Sequence, residues 1–387
     1  MTAVTEINKK TLRFICWSIL ILIALFGLWP FNLNPVNQVF WLKDEPGVRF
    51  TGPGHLYGTG SLSDFFSNRP VSLECWLRPA AEPNNRLPHI LSFRDGRRQE
   101  VFLLGQWKDA LAIRVRTSRA DIPRGYRERG KGQVLVKNRV VFITLTSSPE
   151  ESTLYVDGAR VQEFPGFPLL ESRPAGPSVL VLGNSPTGKG YWEGDLLGLA
   201  LYSRTLSDQE VRQNHLHWMQ RDYQSLKSGP GLIGLYPFNE GKGERIGNLA
   251  SDSCPLLKPA VFHPRQKVIL EWPTKEQLKR RGFYQDLAVN ILGFIPLGYF
   301  LALWLLRFSR LSAPGAGAAT LLLGALLSLG IELTQVYLPT RDSSAGDLIF
   351  NILGTLTGIM LLQGLHGRPS HRTRTDDGGS VRRSLAF

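Results

Sequence analysis

The chain has 387 residues, long enough for two domains, and 45 Lys and Arg against 32 Asp and Glu give it a formal net charge of +13. No zinc finger, recognition module or basic heptad pattern accompanies that charge, so no nucleic-acid partner is expected. The average hydropathy is that of a soluble protein only because two unlike halves are averaged.

Four apolar runs stand out in chain order: Phe14–Trp29, extending to Phe31, then Leu287–Leu306, Ala316–Leu338 and Leu348–Leu365. Helices of roughly 17–25 residues can span a bilayer core of ~30 Å. Lys9, Lys10 and Arg13 precede the first run as in a signal peptide, but no small-x-small cleavage site follows, so an uncleaved anchor is expected. Basic residues set the orientation. Lys9, Lys10 and Arg13, then Arg307 and Arg310, then Arg368, Arg372, Arg374, Arg382 and Arg383 fall on one side of a four-span chain, which places both termini in the cytoplasm. Lys275, Lys279, Arg280 and Arg281 dissent and are read as an interfacial turn on anionic headgroups. The insert between the first two spans then faces outward. Cys16 lies inside the first span; Cys75 and Cys254 would both be outside, where a disulfide could persist.

From about Val48 to Trp218 the insert reads as short strands between turns. Val71–Arg78, Leu111–Arg116 and Val140–Thr146 carry strand patterns, and Asp157-Gly158 after Ser152–Val156 is a hairpin signal. Many strands without helical periodicity imply a β-sandwich. Three apparent sites fail on context. Gly183–Gly190 resembles a phosphate loop but has Gly190 where Ser or Thr is needed, and a strand follows it. His215 and His217 do not share a helix face, so no metal site is expected. Asp157 reads as a turn residue. Arg114–Arg139 holds nine basic residues against Asp121 and Glu128. It is either a solvated face or an anion surface formed by Arg114, Arg116, Arg119, Arg124, Arg127 and Arg129 for an anionic envelope polymer or lipid headgroups.

The last three spans carry an internal repeat. Asp-Leu-x-x-Asn-Ile-Leu-Gly occurs at Asp286–Gly293 and again at Asp347–Gly354. Asp, Asn and Gly at i, i+4 and i+7 share one helix face. Both copies would enter from outside, with Asn290 and Asn351 roughly 5–6 Å below the outer boundary and Gln335 and Glu332 about 5 and 9 Å below it at the helical rise. Polar groups at that depth face a partner or a cavity. Gly293, Gly298, Gly354 and Gly358 are expected to let helices approach, and Gly324, Ser328 and Glu332 form a small face leading up to the acid. Pro296 is expected to kink the second span. Arg341 could fork onto Glu332, Asp347 or Asp286, or onto a phosphate or carboxylate.

Two resemblances follow from these residues. Thr153–Gly158, Leu182-Gly-Asn184, Trp192–Leu196 and Leu201–Val211 resemble the tail of a concanavalin A-like, laminin-G-type jelly roll, and Leu235–Gly243 resembles an opening strand of such a domain. That resemblance implies a fold whose members often bind glycans or proteins. Some relatives hydrolyse glycans with Glu-x-Asp-x-x-Glu on one strand; Glu193-Gly-Asp195-Leu-Leu-Gly198 lacks the second Glu. Calcium occurs on such folds; otherwise no cofactor is expected. Asn290-x-x-Gly293-x-x-Pro296-x-Gly298, Glu332-x-x-Gln335, Arg341, Asp347-x-x-x-Asn351-x-x-Gly354 and the Trp29-Pro-Phe-Asn end of the first span resemble the VanZ-like family, named for a teicoplanin-resistance protein. This implies a cell-envelope membrane domain, here with a large insert after the first span.

The expected organisation is a cytoplasmic N-terminus and first transmembrane helix over 1–35, a sandwich over 45–220, an appended strand and linker over 221–283, three membrane helices over 284–365 and a disordered tail over 366–387. The fold class is thus an all-β jelly-roll sandwich plus an α-helical membrane bundle. The expected function is a non-enzymatic protein of a bacterial inner membrane. Its sandwich would bind a glycan or anionic polymer, and its bundle a lipid, lipid-linked precursor or cell-wall component. The polar layer of Asp286, Asn290, Glu332, Gln335, Arg341, Asp347 and Asn351 is either such a site or an interhelical hydrogen-bond lock. An enzyme using Glu332 as general base, a transporter, and a protein-binding scaffold remain alternatives.

Overall fold

The computed structural model describes residues 7–60, 65, 70–83, 87–96, 99–122, 125–171, 176, 178–265, 267–273, 278 and 281–366. Arg124, Lys275, Lys279, Arg280 and the tail beyond 366 lie outside the described residues. The chain divides into two compact units, Asn32–Lys267 and the two flanking segments Met1–Phe31 with Val268–Phe387.

The insert forms two antiparallel sheets. The strands are β1 Val39–Trp41, β2 Val48–Phe50, β3 Leu56–Gly58, β4 Val71–Pro79, β5 His89–Arg94, β6 Glu100–Trp107, β7 Ala110–Arg116 and β8 Tyr126–Lys131. They continue as β9 Val141–Ser147, β10 Glu151–Val156, β11 Ala159–Pro165, β12 Val179–Leu182, β13 Gly194–Tyr202, β14 Leu232–Tyr236, β15 Arg245–Ile246 and β16 Leu256–Leu257. One sheet runs β1-β2-β13-β4-β9-β10-β11, with β14 also on β13; the other runs β15-β16-β3-β12-β5-β6-β7-β8. Alternate residues point between the sheets: Leu73, Cys75 and Leu77 of β4 and Ile143 and Leu145 of β9 meet Leu91 and Phe93 of β5 and Ile113 and Val115 of β7 in one core. Each such side chain contributes about 1.5–3 kcal/mol by leaving water. The expected limits 45 and 220 fall inside this unit. Strands β1 and β14 extend one sheet at either end of the sequence, and β15 and β16 extend the other.

Asp157 and Gly158 both have positive φ, as the β10–β11 turn requires, and Asp157 also accepts the N–H of Phe142 at 3.0 Å. Cys75 and Cys254 are both buried and unbonded.

Helix α2, Asp208–Gln220, covers the outer face of the first sheet. Its start is a capping box in which Ser207 and Glu210 bond each other's backbone, and Arg204 grips Glu210 at 2.6 Å. The short α3, Tyr223–Lys227, follows it. Val211 and Trp218 of α2 pack on Phe142, Tyr155, Ala200 and Tyr202.

The second unit holds α1 Lys9–Leu28, α4 Arg281–Phe308, α5 Ala313–Gln335 and α6 Ala345–His366, and each is long and apolar enough to cross a membrane. Helix α4 is continuous through Pro296. A Cβ on Gly354 would strike the Ile291 carbonyl oxygen, and one on Gly358 the Ile295 carbonyl oxygen. The four-residue step is in the same sense on both helices, so α4 and α6 run parallel, nearly backbone to backbone. Gly298 meets the Thr355 carbonyl in the same seam, and Gly324 brings α5 against Thr355. Leu12 of α1 packs with Ala302 and Leu303 of α4, while Ile19 and Ile23 pack with Phe294 and Leu297, so α1 runs antiparallel to α4.

Candidate functional site

A cavity of about 490 Å³ lies between α1, α4, α5, α6 and the turn before α6. It is lined by all seven expected polar residues, Asp286, Asn290, Glu332, Gln335, Arg341, Asp347 and Asn351. Asp342 adds a fourth carboxylate to its wall. Its apolar lining comes from Ile19, Leu22, Ile23 and Phe26 of α1, with Val289, Phe294 and Pro296 of α4 and Ile331 of α5.

The polar residues become more buried along the cavity. Asp286 and Asp342 are exposed, Asn290 and Asp347 are half-buried, and Glu332, Gln335 and Asn351 are buried. Glu332 is only 1% exposed, and its carboxylate accepts the Ser344 N–H at 2.7 Å. That turn is held from outside as well: Glu271 donates its N–H to Ser343 O at 2.9 Å and accepts the Ala345 N–H at 3.0 Å. Gln335 donates to the Gly27 carbonyl at 2.7 Å. Asn351 donates to Ser328 Oγ at 2.9 Å. Gln335 Oε1 and Asn351 Oδ1 are buried with no hydrogen-bond partner among the described residues. Asp347 lies close to the Asn290 amide and to the charge of Asp286.

Arg341 is tied to α1. Its Nη2 donates to the carbonyls of Phe26 and Gly27, both at 3.3 Å, at the C-terminal end of α1 where carbonyls have lost their helical partners. Its charge also reaches Glu332 and Asp347. The two motif copies are not equivalent either. Gly354 is wedged against α4, whereas a Cβ on Gly293 would meet nothing within 4 Å, because Gly293 faces the cavity instead of a neighbouring helix.

Sequence reading passed over the α1 wall and the Ser344 N–H. The apolar residues of α1 carry no signal that separates a cavity wall from a lipid-facing side. The Trp29-Pro-Phe-Asn signature did mark the α1 end that Gln335 and Arg341 grip.

In the sandwich unit, the register aligns Ser92, Leu103, Arg114 and Glu128 across β5–β8, with Arg116 opposite Tyr126 one step on. Beside them lies a hollow of about 380 Å³ lined by Gln99, Glu100, Val101, Arg114, Arg116, Thr117, Gly125 and Tyr126. The arginines of this region are largely paired. Arg114 meets Glu128 at 2.9 Å and lies over Tyr126; Arg116 meets Asp95 at 3.0 Å; Arg119 meets Asp121 at 3.2 Å; Arg127 meets Glu171 at 3.4 Å. Arg129 lies over Phe167 and donates to Glu128 O. Burial, then the charges of Arg114 and Arg94, hold His89 down to about 3, so its 3.5 Å approach to Glu100 is not an ion pair at neutral pH. Asp195, on the strand compared above with glycan hydrolases, is gripped by Arg49 at 2.6 Å and Arg78 at 2.9 Å and is buried. Among the described residues no group of three or more His, Cys, Asp or Glu is placed to hold a metal ion.

Residues 235–366 match the VanZ/LLP1 family, and residues 56–212 match the concanavalin A-like lectin/glucanases superfamily. No curated protein matches the chain. Similar solved structures include a putative carbohydrate binding protein from Bacteroides ovatus, 16% identical with a TM-score of 0.40, the match covering 57% of this chain and 59% of that one. Another is the CBM40 of the Ruminococcus gnavus IT-sialidase bound to alpha2,3 sialyllactose, 12% identical with a TM-score of 0.35, covering 44% of this chain and 97% of that one. One part of the chain thus matches VanZ/LLP1 and another, between the first apolar helix and the other three, matches the concanavalin A-like superfamily.

Proposed function

We propose that this protein is a non-enzymatic component of a bacterial cell envelope whose membrane cavity holds the polar end of an amphiphile while its sandwich binds a glycan or envelope polymer. One observation carries the reading: a single cavity brings eight polar residues together with an apolar lining that includes Ile19, Leu22, Ile23 and Phe26 of α1. A lipid or lipid-linked cell-wall component has the same division into head and chain. The basic flanks support a cytoplasmic-side placement of both termini in the inner membrane, with the sandwich outside. In the sandwich, the hollow beside Tyr126 is the candidate glycan-facing surface. Its paired arginines favour a polar, hydrogen-bonding ligand over a polyanion.

Mass spectrometry of lipids copurified with the full chain tests the membrane half. A bound amphiphile that disappears in Glu332→Gln and Arg341→Ala, at unchanged protein level, is the expected result; one retained in both variants sinks it. A second reading has its own support. Glu332, Gln335 and Asn351 each bond another part of the fold, which is what an interhelical lock would do. Under that reading Glu332→Ala and Arg341→Ala lose folded protein, Glu332→Gln keeps it because its amide still accepts from Ser344, and no lipid is lost selectively. Glycan-array binding by the sandwich tests the other half, and a folded domain that binds none of a diverse set of polysaccharides counts against it.

A further inference from the structure

We infer that the membrane cavity opens sideways into the bilayer, through a slot between α1 and α4, and that its occupant is a bilayer lipid whose head passes through the slot while its chains stay outside. The inference rests on reading the cavity as an amphiphile site, and it names the source of the amphiphile and its way in.

The lining residues divide by exposure. Phe294 of α4 and Ile331 of α5 are buried, whereas Phe26 of α1 is 76% exposed, Val289 of α4 68% and Leu22 of α1 51%. Gly293 and Pro296 also line the cavity and are exposed, and a Cβ on Gly293 would meet nothing within 4 Å. A closed cavity would shield its whole lining. The exposed members follow two stripes. Leu22 and Phe26 are one turn apart on α1, and Val289, Gly293 and Pro296 follow at successive turns on α4, so each set shares a helix face. These stripes are the lips of the slot.

Packing along the two helices explains the opening. The buried residues of α1 are Leu12 and Cys16, and those of α4 begin at Phe294. The antiparallel pair is thus closed at the end where Leu12 meets Leu303 and open at the other. The open end is nevertheless pinned, because Gln335 donates to the Gly27 carbonyl at 2.7 Å and Arg341 to those of Phe26 and Gly27.

Both lips lie inside apolar runs. At the helical rise, Leu22 is ~9 Å from the end of α1 at Leu28, and Gly293 is ~9 Å from Leu287, where the run of α4 begins. Exposed side chains at that depth of a spanning helix face acyl chains. The rim also changes character along its length. At the end of the bundle it carries the exposed Asp286 and Asp342; along the side it is apolar. A lipid lying at the interface presents its head and chains in the same order. The cavity volume of about 490 Å³ is that of a pocket for one small ligand, so it takes a head and leaves two acyl chains outside. A water-borne ligand would need neither the apolar rim nor an opening at that depth.

The test is photolabelling of the full chain in lipid nanodiscs with phosphatidylethanolamine and, separately, phosphatidylglycerol, each carrying a diazirine on its head, read by peptide mass spectrometry on monodisperse protein. At least one probe is expected to label Ile331 or Gln335, inside the cavity. Val289→Trp and Leu22→Trp narrow the slot from opposite lips at exposed positions, and each should lose most of that labelling. Leu292→Trp, exposed on α4 but outside the cavity lining, should keep it. Labelling of Ile331 or Gln335 that survives either lip substitution, or that all three substitutions reduce alike, overturns the slot while leaving an amphiphile site filled from the end of the bundle. Labelling confined to residues outside the cavity lining overturns the bilayer lipid as occupant, and the copurification experiment above then decides separately whether the cavity holds any amphiphile.

Discussion

The Glu332 carboxylate accepts the backbone N–H of Ser344 at 2.7 Å, tying the last turn of α5 to the turn that opens α6. This bond closes the buried end of the cavity. It also predicts a difference between two substitutions that both remove the charge. Glu332→Gln retains an acceptor for Ser344, whereas Glu332→Ala leaves a part-buried N–H unpaired, at a cost of up to about 1–3 kcal/mol. Thermal unfolding in detergent should therefore show Glu332→Gln close to wild type and Glu332→Ala clearly below it. Equal melting of the two variants would mean that Ser344 finds another acceptor.

The repeated Asp-Leu-x-x-Asn-Ile-Leu-Gly leads to a second contrast. Gly354 and Gly358 leave no room for a Cβ, which would press on the Ile291 and Ile295 carbonyls. Those atoms are backbone and cannot swing aside. Gly354→Ala and Gly358→Ala should each cost about 1–3 kcal/mol, the usual range for overpacking, and separate α4 from α6. Gly293→Ala, at the matching position of the other copy, should be nearly neutral. Parallel unfolding curves of the three variants check this, and a Gly293→Ala as damaging as Gly354→Ala would contradict it.

Why the repeat was legible, and its asymmetry was not, follows from what a sequence encodes. Spacing of i, i+4 and i+7 fixes which residues share a helix face, so the shared location of Asn290, Asn351, Glu332 and Gln335 could be read directly. Which neighbour that face meets depends on tertiary packing. The pattern therefore cannot reveal that Gly354 meets α4 while Gly293 meets a cavity. In the sandwich, Asp157-Gly158 marked a hairpin through local backbone preference alone. The pairing of Arg116 with Asp95 joins residues 21 apart in sequence, one ending β7 and the other just past the end of β5, strands that are not neighbours in the sheet, and no local pattern announces it. The end of the third apolar run was read at Leu338, but α5 stops at Gln335. Pro339 disfavours helix in the residue before it, and the turn that follows is held by Glu332 and Glu271.

Glu74 was not singled out by the sequence and is the most consequential acid of the sandwich. It is fully buried beneath α2 and accepts from Asn214 at 2.8 Å, Trp218 at 2.9 Å and Tyr202 at 3.1 Å. Burial pushes its carboxyl up from 4.5 to about 7, and the hydrogen bonds from Trp218, Asn214 and Tyr202 oppose the rise. Between those values the folded chain holds a proton that the unfolded chain has lost. The contribution of Glu74 is therefore full below pH 4.5 and is lost as pH rises towards about 7, a change of about 3 kcal/mol. His55 and His89, held down to about 4 and about 3 chiefly by burial, work in the opposite sense: their contribution is lost as pH falls from 6.5. The wild-type curve alone mixes the two effects. The difference between wild type and Glu74→Gln isolates the carboxyl and should move against wild type as pH rises from 4.5 to 7. Urea unfolding followed by tryptophan fluorescence measures it, and a difference independent of pH would show that Glu74 titrates normally.

Two ion pairs of the arginine-rich run should behave unlike each other although their lengths are similar. Arg119 and Asp121 meet at 3.2 Å with side chains 54% and 64% exposed. Water competes for both charges, and such pairs contribute about 0–1 kcal/mol. Arg116 meets Asp95 at 3.0 Å, and there the carboxylate side chain is 0% exposed. Removing the arginine takes the ion-pair partner from a buried carboxylate whose neighbours also include the Gln99 N–H and the charge of Arg94, at a cost of up to about 3–5 kcal/mol. Asp95 also accepts the Gln99 N–H, so its displacement would disturb the β5–β6 connection beside the Tyr126 hollow. Arg116→Ala should therefore destabilise the sandwich severely, and Arg119→Ala hardly at all. Arg116→Ala combined with Asp95→Asn should recover most of the loss, because no charge is then left buried. Chemical denaturation of the three variants decides it. A double variant as unstable as Arg116→Ala alone would assign the loss to the packing of the arginine stem instead of to the stranded carboxylate.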